Sequence, residues 1–261
     1  MLSDDIQKRL EKKIEDRLVQ KDREKRSEKD VFNKNKVVDE VLDKSTIMTL
    51  SKMISDGTIS YVNGAIGSGK ESKIYWAVDP SGKNLGIKIY LVTTSNFKKR
   101  MPYLIGDPRF ARMKKGTRYM VELWAQREFE NLNQCFKAGI PCVRPITVQK
   151  NVLVMEFAGE DGVPSPRLVE TEIDYMDYQN TVKIISDLYQ KAKIVHADLS
   201  EYNIFKMEKG LIVFDFGSAV DIRYPNAKEF LERDIRNITK FFVKRGLTVE
   251  NPIDVFGRVI G

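Results

Sequence analysis

Two short stretches of this chain carry residues of the right kinds for chemistry: His196-Ala197-Asp198-Leu199-Ser200-Glu201-Tyr202-Asn203 and, twelve residues past Asn203, Asp215-Phe216-Gly217. An acid such as Asp198 can accept or orient the proton of an attacking hydroxyl or water. Asn203 and Asp215 supply hard oxygen ligands of the kind Mg2+ takes alongside phosphate oxygens and water. That division of labour fits in-line transfer of a phosphoryl group. Each acid taken singly could be a turn-capping Asp, but the order of the three, set between short strands at 194–195, 204–205 and 211–214, favours a site. His196 is the one histidine in the sequence. A His-rich metal centre is thereby excluded, and a Ser-His-Asp triad would have to use His196 itself.

Phosphates need a cradle and a cation. Gly64-Ala65-Ile66-Gly67-Ser68-Gly69-Lys70-Glu71-Ser72 can be read in two ways. From Gly64 to Lys70 it nearly fits a Walker A loop, yet Glu71 stands where a hydroxyl should ligate magnesium, and a strand follows where a helix is needed. A Gly-rich hairpin whose backbone N–H groups approach an anion fits better, and a plain turn is the bland alternative. Lys88 lies between Ile87 and Ile89 on an expected strand, so it projects to the face opposite them. On the expected helix 118–137, Val121, Trp124, Leu132 and Cys135 form an apolar stripe. Glu128 falls inside that stripe, whereas Glu122 and Glu130 turn toward the polar side. A carboxylate on an apolar face needs a partner, and Lys88 is the natural one.

These side chains must be positioned by a fold that places strands first and helices later. The reading gives a strand at 59–62, a turn at 63–71, and strands at 74–78 and 85–91. The 118–137 helix comes next, then a buried strand at 152–155 and a helix through Tyr178, Val182, Ile185 and Tyr189. This describes an α+β fold of two lobes around a cleft. The expected boundaries are a charged helical extension over 1–57, an N-lobe over 58–158 and a C-lobe over 159–261. Within the extension, Ile6, Leu10, Ile14 and Leu18 mark a narrow apolar stripe on a docked, solvated helix. Two short helices follow, the second capped by Ser45 or Thr46 and ended by Gly57.

The sequence has 261 residues with 42% hydrophobic content, enough for a full core. It contains no apolar run long enough to span a membrane and no secretory signal at Met1-Leu2-Ser3-Asp4-Asp5, so a cytoplasmic protein is expected. Cys135 and Cys142 read as buried thiols in a reducing compartment. The net charge is +7, and residues 91–118 hold eight Lys or Arg against Asp107 alone. Such a segment points to an anionic partner, or to a solvated loop without one.

At the positions just quoted the chain resembles the Rio family of atypical protein kinases, first subfamily. The resemblance rests on Gly69-Lys70-Glu71-Ser72, Lys88, Trp124-Ala125-Gln126-Arg127-Glu128-Phe129 and Gly139-Ile140-Pro141-Cys142. It extends to Met155-Glu156-Phe157, the His196–Asn203 block, Asp215-Phe216-Gly217-Ser218-Ala219, Tyr224-Pro225-Asn226-Ala227 and Phe230-Leu231-Glu232-Arg233-Asp234. It implies a protein-kinase-like fold with a trimmed C-lobe, lacking an activation loop and peptide-binding helices. The cofactors implied are ATP with Mg2+, or Mn2+ in its place. Asp198, Asp215 and Lys88 would be catalytic, with Asn203 and Asp215 on the metal. The nucleotide would be held by Gly67, Ser68, Gly69, Lys70, Glu71, Ser72, Lys88, Glu128, Met155, Glu156, Ala158, Asn203 and Asp215. Two departures stand out: Gly67-Ser68 replaces the family's usual Ser-Thr, and Ala197 replaces the Arg of common kinases, so no phosphorylated loop docks there. With 44 residues after Gly217, a helical platform for peptides is not expected.

The resemblance further implies Ser/Thr kinase or ATPase turnover in maturation of the small ribosomal subunit. Asp215 would carry a transient phosphoryl group, segment 91–118 would meet the subunit precursor and its rRNA, and Thr93, Thr94 or Ser95 would be autophosphorylated. Two other functions compete. A small-molecule phosphotransferase of the aminoglycoside-kinase type shares the His-x-Asp and Asn plan, but needs a large helical subdomain after the metal acid. A nucleotide-sensing scaffold without turnover would not need Lys88, Asp198, Asn203 and Asp215 intact.

Overall fold

The structure, a computed structural model, describes residues 42–92 and 116–261. The expected helices within 1–41 and most of the basic segment lie outside the described residues. Helix α1 (Lys44–Ser55) opens the described part, and the carboxylate of Asp43 caps it by accepting from the amides of Ser45 and Thr46. The cap is therefore earlier than the expected Ser45 or Thr46. A carboxylate is the stronger acceptor for orphan amides at a helix start, and Ser45 and Thr46 lie inside the first turn. Gly57, at φ 79°, follows the helix end in the left-handed region. Although it falls within the expected extension, α1 packs on the sheet. Leu50 and Met53 join Ile59, Val62, Ile87, Ile89, Val152 and Val154 in one buried cluster.

The N-lobe sheet comprises β1 (Tyr61–Ser68), β2 (Ser72–Val78), β3 (Asn84–Tyr90), β4 (Pro145–Gln149) and β5 (Val152–Glu156). Its spatial order is β1-β2-β3-β5-β4, antiparallel throughout. The Gly-rich turn is shorter than expected. Gly64 and Gly67 sit within β1, across two register irregularities, and only Gly69 to Glu71 make the turn. Glycine weakens a strand without forbidding it, and bulges absorb the misfit. Helix α2 (Thr117–Lys137) lies against the sheet with Val121 and Trp124 buried under Tyr90 of β3. Strand β4 has no counterpart in the sequence reading; its residues are mostly half-buried, so the alternation is faint.

After the crossing to the C-lobe, β6 (Gly159–Glu160) and β7 (Val163–Pro164) form a small hairpin. It leans on the N-lobe: a Cβ on Gly162 would come 2.6 Å from the Trp76 ring, and Gly162 sits at φ 82°. The Trp76 indole N–H in turn donates to Asn84 Oδ1 at 2.9 Å. Helix α3 (Tyr175–Gln190) follows, started by a capping box between Asp174 and Asp177. Short strands β8 (Ile194–Val195), β9 (Ile204–Met207), β10 (Gly210–Val213) and β11 (Val220–Asp221) pair as β8–β11 and β9–β10. No helix is expected from sequence beyond Gly217, yet α4 (Ala227–Lys244) and α5 (Pro252–Ile260) are there. Leu231, Ile235, Ile238 and Phe242 of α4 and Val255 and Val259 of α5 are buried in the C-lobe core. Eleven residues separate Asp215 from α4, too few for an activation loop.

Candidate active site

Strand alternation places Lys88. Ile87 and Ile89 enter the cluster under α1, so Lys88 and Tyr90 face α2, with the Lys88 ammonium 5.3 Å from the Tyr90 ring centre. Lys88 Nζ donates to both carboxylate oxygens of Glu128, at 2.9 and 2.8 Å, and to Asp215 Oδ1 at 2.8 Å. The Glu128 side chain is 1% exposed and that of Asp215 47%. Burial works against the Lys88 charge, but the Asp215 and Glu128 carboxylates outweigh it and raise its pKa. One cation thus joins an enclosed carboxylate to one that is half open to solvent. Glu130 instead accepts from Gln126, at 3.0 Å.

Asp215 adopts φ 64° and ψ 62°, a left-handed backbone that costs a residue with a Cβ but that Asp tolerates better than most. A single 3-10 turn, Phe216–Ser218, follows it. Ala197 is left-handed too, at φ 63°. There the restraint is explicit: Asp234 of α4 accepts from the amides of Ala197 and Leu199, at 2.8 and 3.0 Å, and Arg233 donates to the Ala197 carbonyl. The Asp234 side chain is buried, which pushes its carboxyl up to about 7 against the pull of the two amides. In sequence Asp234 stands out only as part of a motif, with no task of its own. Its signal is faint, an acid on the apolar side of α4 next to Leu231, Ile235 and Ile238.

Between the two left-handed residues runs the loop of Asp198 and Asn203. Asp198 is exposed at its rim. The Asn203 side-chain amide donates to the Asp198 carbonyl at 2.8 Å, so a metal could be held only by its Oδ1. Phe214 N donates to the Asn203 carbonyl at 3.1 Å, which sets Asn203 opposite Phe214, one residue before Asp215, at the base of the β9–β10 hairpin. His196 is buried, its Nε2 3.1 Å from the Phe214 carbonyl and its ring 4.8 Å from that of Phe216. Burial lowers its pKa. An enclosed, neutral imidazole packed on a phenyl ring serves no Ser-His-Asp triad, and that option falls.

The remaining nucleotide candidates are spread along one hairpin and the lobe crossing. Ser72 pairs with Tyr90 and Ile74 with Lys88, so the Gly69–Glu71 turn lies just past the Lys88 end of the hairpin. Gly69 N closes that turn on the Ser72 carbonyl at 2.9 Å, and Leu91 N donates to the Glu71 carbonyl. The strand after it removes the Walker A reading of Gly64 to Lys70. Gly67, Ser68 and Lys70 lie at or beside the same turn. At the crossing, Met155 is buried beside Gly86, whose added Cβ would lie 3.5 Å from Met155 Cγ. The Glu156 side chain turns outward to Arg144, at 3.3 Å, so only its backbone can face the cleft. The Ala158 carbonyl accepts from Ser165 N.

The donor set suits a magnesium nucleotide: side-chain oxygens of Asn203 and Asp215 that could ligate a metal, a buried cation and a glycine-bearing turn. Comparison with known proteins identifies the family. The family model described as the RIO domain matches residues 73–254. A RIO-type serine/threonine-protein kinase Rio1 of Haloferax volcanii is 36% identical over 81% of this chain and 73% of its own length. The serine/threonine-protein kinase rio1 of Dictyostelium discoideum is 38% identical over 79% of this chain, and the human RIO1 kinase 36% over 84%. The chain spans only 37% and 40% of those two proteins. Among solved structures, the Rio2 kinase of Chaetomium thermophilum in complex with ADP, Mg2+ and phosphoaspartate is similar in fold. Its TM-score is 0.62 at 23% identity, over 81% of this chain and 65% of that one. Family match and fold agree over most of the described residues, and this chain belongs to the RIO domain family.

Proposed function

We propose that this chain is an ATP- and Mg2+-dependent atypical serine/threonine kinase with ATPase turnover, acting in the cytoplasm on small ribosomal subunit maturation. The observation that carries the catalytic part is Lys88 held between Glu128 and Asp215, with Asn203 and Asp198 on the adjoining loop. Lys88 would bind phosphate oxygens and Asp198 would orient the acceptor. Mg2+, held by Asn203 and Asp215, would neutralise charge on the transferring group. The phosphoaspartate in the Chaetomium protein supports a variant route for Asp215. A carboxylate oxygen attacks the γ-phosphorus, the bond to the bridging oxygen breaks, ADP leaves, and water later cleaves the acyl phosphate. The small-molecule phosphotransferase reading is disfavoured, because α4 and α5 are committed to the core and form no substrate subdomain. Among the described residues no helix is long and apolar enough to cross a membrane.

The ribosomal partner rests on the sequence, where the basic segment is inserted between the strand of Lys88 and the helix of Glu128. Labelled ATP and Mg2+, with and without small-subunit particles, test the whole reading. We expect phosphate release stimulated by particles and protein-bound label. Acid-stable label marks a hydroxyl acceptor, and label that hydroxylamine removes and Asp215→Asn abolishes marks an acyl phosphate on Asp215. Absence of both label and phosphate release overturns the proposal and leaves a nucleotide-sensing scaffold.

A further inference from the structure

Arg127, Asn131 and Gln134 lie at i, i+4 and i+7 on α2, along one flank of the stripe that carries Glu128. All three reach out of the helix to main-chain carbonyls of the C-lobe. Arg127 Nη1 donates to Gly217 O at 2.9 Å and Nη2 to Ala219 O at 2.6 Å. Asn131 Nδ2 donates to Phe216 O and to Ala219 O, both at 3.0 Å. Gln134 Nε2 donates to Ala192 O at 2.6 Å.

Arg127 and Asn131 are each 0% exposed. Burying a guanidinium is costly unless its donors are met, and here carbonyls meet two of them. Those carbonyls can converge only if the chain after Asp215 turns back on itself. That same turn starts from the left-handed backbone of Asp215. Residues 216–219 belong to no strand, and pairing resumes only at Val220, so the sheet ladders do not hold them. Phe216 and Ala219 are buried in the core, and the hydrogen bonds from outside the turn to its carbonyls come from the helix.

We propose that Arg127 and Asn131 are positioning residues for the Asp215 carboxylate. They fix the 216–219 turn and thereby the direction in which the metal acid points. Because the same helix delivers Glu128 to Lys88, α2 cannot withdraw Glu128 without breaking four hydrogen bonds to this turn. The arrangement of Lys88, Glu128 and Asp215 is then a property of the fold and needs no phosphorylated loop to assemble it. The assignment rests on the phosphoryl-transfer reading of the site.

Arg127→Met keeps the length of the side chain and removes its donors; Arg127→Lys keeps the charge and part of the donation. Two measurements suffice. The first is amide hydrogen exchange over 215–219 in the full chain without nucleotide, where Ala219 N is bonded to Phe216 O at 3.2 Å. The second is ATP affinity with Mg2+ and with a chelator. Arg127→Met should speed exchange of the turn by about 10-fold and weaken ATP binding by about 10-fold with Mg2+ only, the scale of lost hydrogen bonds to a charged group. Arg127→Lys should recover part of both.

Wild-type exchange together with wild-type Mg2+ dependence in Arg127→Met overturns the proposal. So does an equal loss of affinity with and without Mg2+, which is general damage. If Arg127→Met does not fold, Arg127→Lys decides alone, and equal losses in the two conditions again overturn it. Should the unaltered chain show no Mg2+-dependent affinity, the phosphoryl-transfer reading fails. The exchange measurement then still decides whether the clamp orders the turn.

Discussion

Lys88 and Asp215, 127 residues apart in sequence and on opposite sides of the cleft, meet with Nζ 2.8 Å from Oδ1. The same ammonium is held by Glu128 from behind. Lys88→Ala should therefore lower turnover more than Glu128→Gln, and the double variant should be little worse than Lys88→Ala. Once the cation is gone, its partner has little left to lose. A double-mutant cycle on kcat/KM checks this, and additive effects would remove Glu128 as the functional partner.

Asp198 sits on the rim of the site and touches the acceptor in the proposed reaction. Asp198→Ala should reduce phosphoryl transfer by about 100- to 10,000-fold while leaving ATP affinity close to that of the parent. Single-turnover transfer beside a direct ATP titration separates the two effects. Undiminished transfer would strip Asp198 of its role.

Asp215→Asn removes a charged oxygen ligand and one of the two carboxylates around Lys88. ATP affinity in Mg2+ should fall by about 10-fold or more, and affinity in chelator should hold steady. Titrations in both conditions test it; identical affinities would mean Asp215 does not ligate the metal.

Asp234 gives a pH signature. Its carboxyl is pushed up to about 7 in the folded chain, against an ordinary 3.8, because it is buried. Between those values the native state holds a proton that the unfolded chain has released. This group's contribution to stability therefore declines as pH rises from about 4 to about 7, with a limiting slope of about 1.4 kcal/mol per pH unit. Asp234→Asn cannot titrate, so its urea midpoint should lose that part of the decline. The test is the difference between the two midpoint curves across the window. Parallel curves would show that Asp234 does not titrate there.

The basic segment predicts a salt dependence. Neutralising Lys98, Lys99, Arg100, Lys114 and Lys115 should flatten the fall of particle binding with rising salt, because fewer counterions are released. Basal ATP hydrolysis should persist. An unchanged slope would make the segment a solvated linker.

How much of the site is legible in sequence depends on how far each cause reaches along the chain. The Lys88–Glu128 pairing can be anticipated because strand alternation and helical spacing are local, and each leaves one charge on a buried face. The short turn at Gly69–Glu71 is harder to read because glycines also sit in strands, and only pairing with β2 shows it. The contacts of Arg127 and Asn131 are invisible for the opposite reason. Polar residues beside an apolar stripe look solvated until the carbonyls of a turn some 85 to 92 residues away are brought to them. Asp234 is hidden likewise, since its partners are backbone amides, which leave no mark in sequence.

The Trp76 ring seated on Gly162 bears on how the two lobes can move. A lone covalent crossing would act as a swivel, free to twist as well as to open. With the hairpin after the crossing packed against β2, a twist of one lobe on the other would have to break this contact. Opening of the cleft would therefore change the separation of Lys88 and Asp198 at less cost than their relative twist.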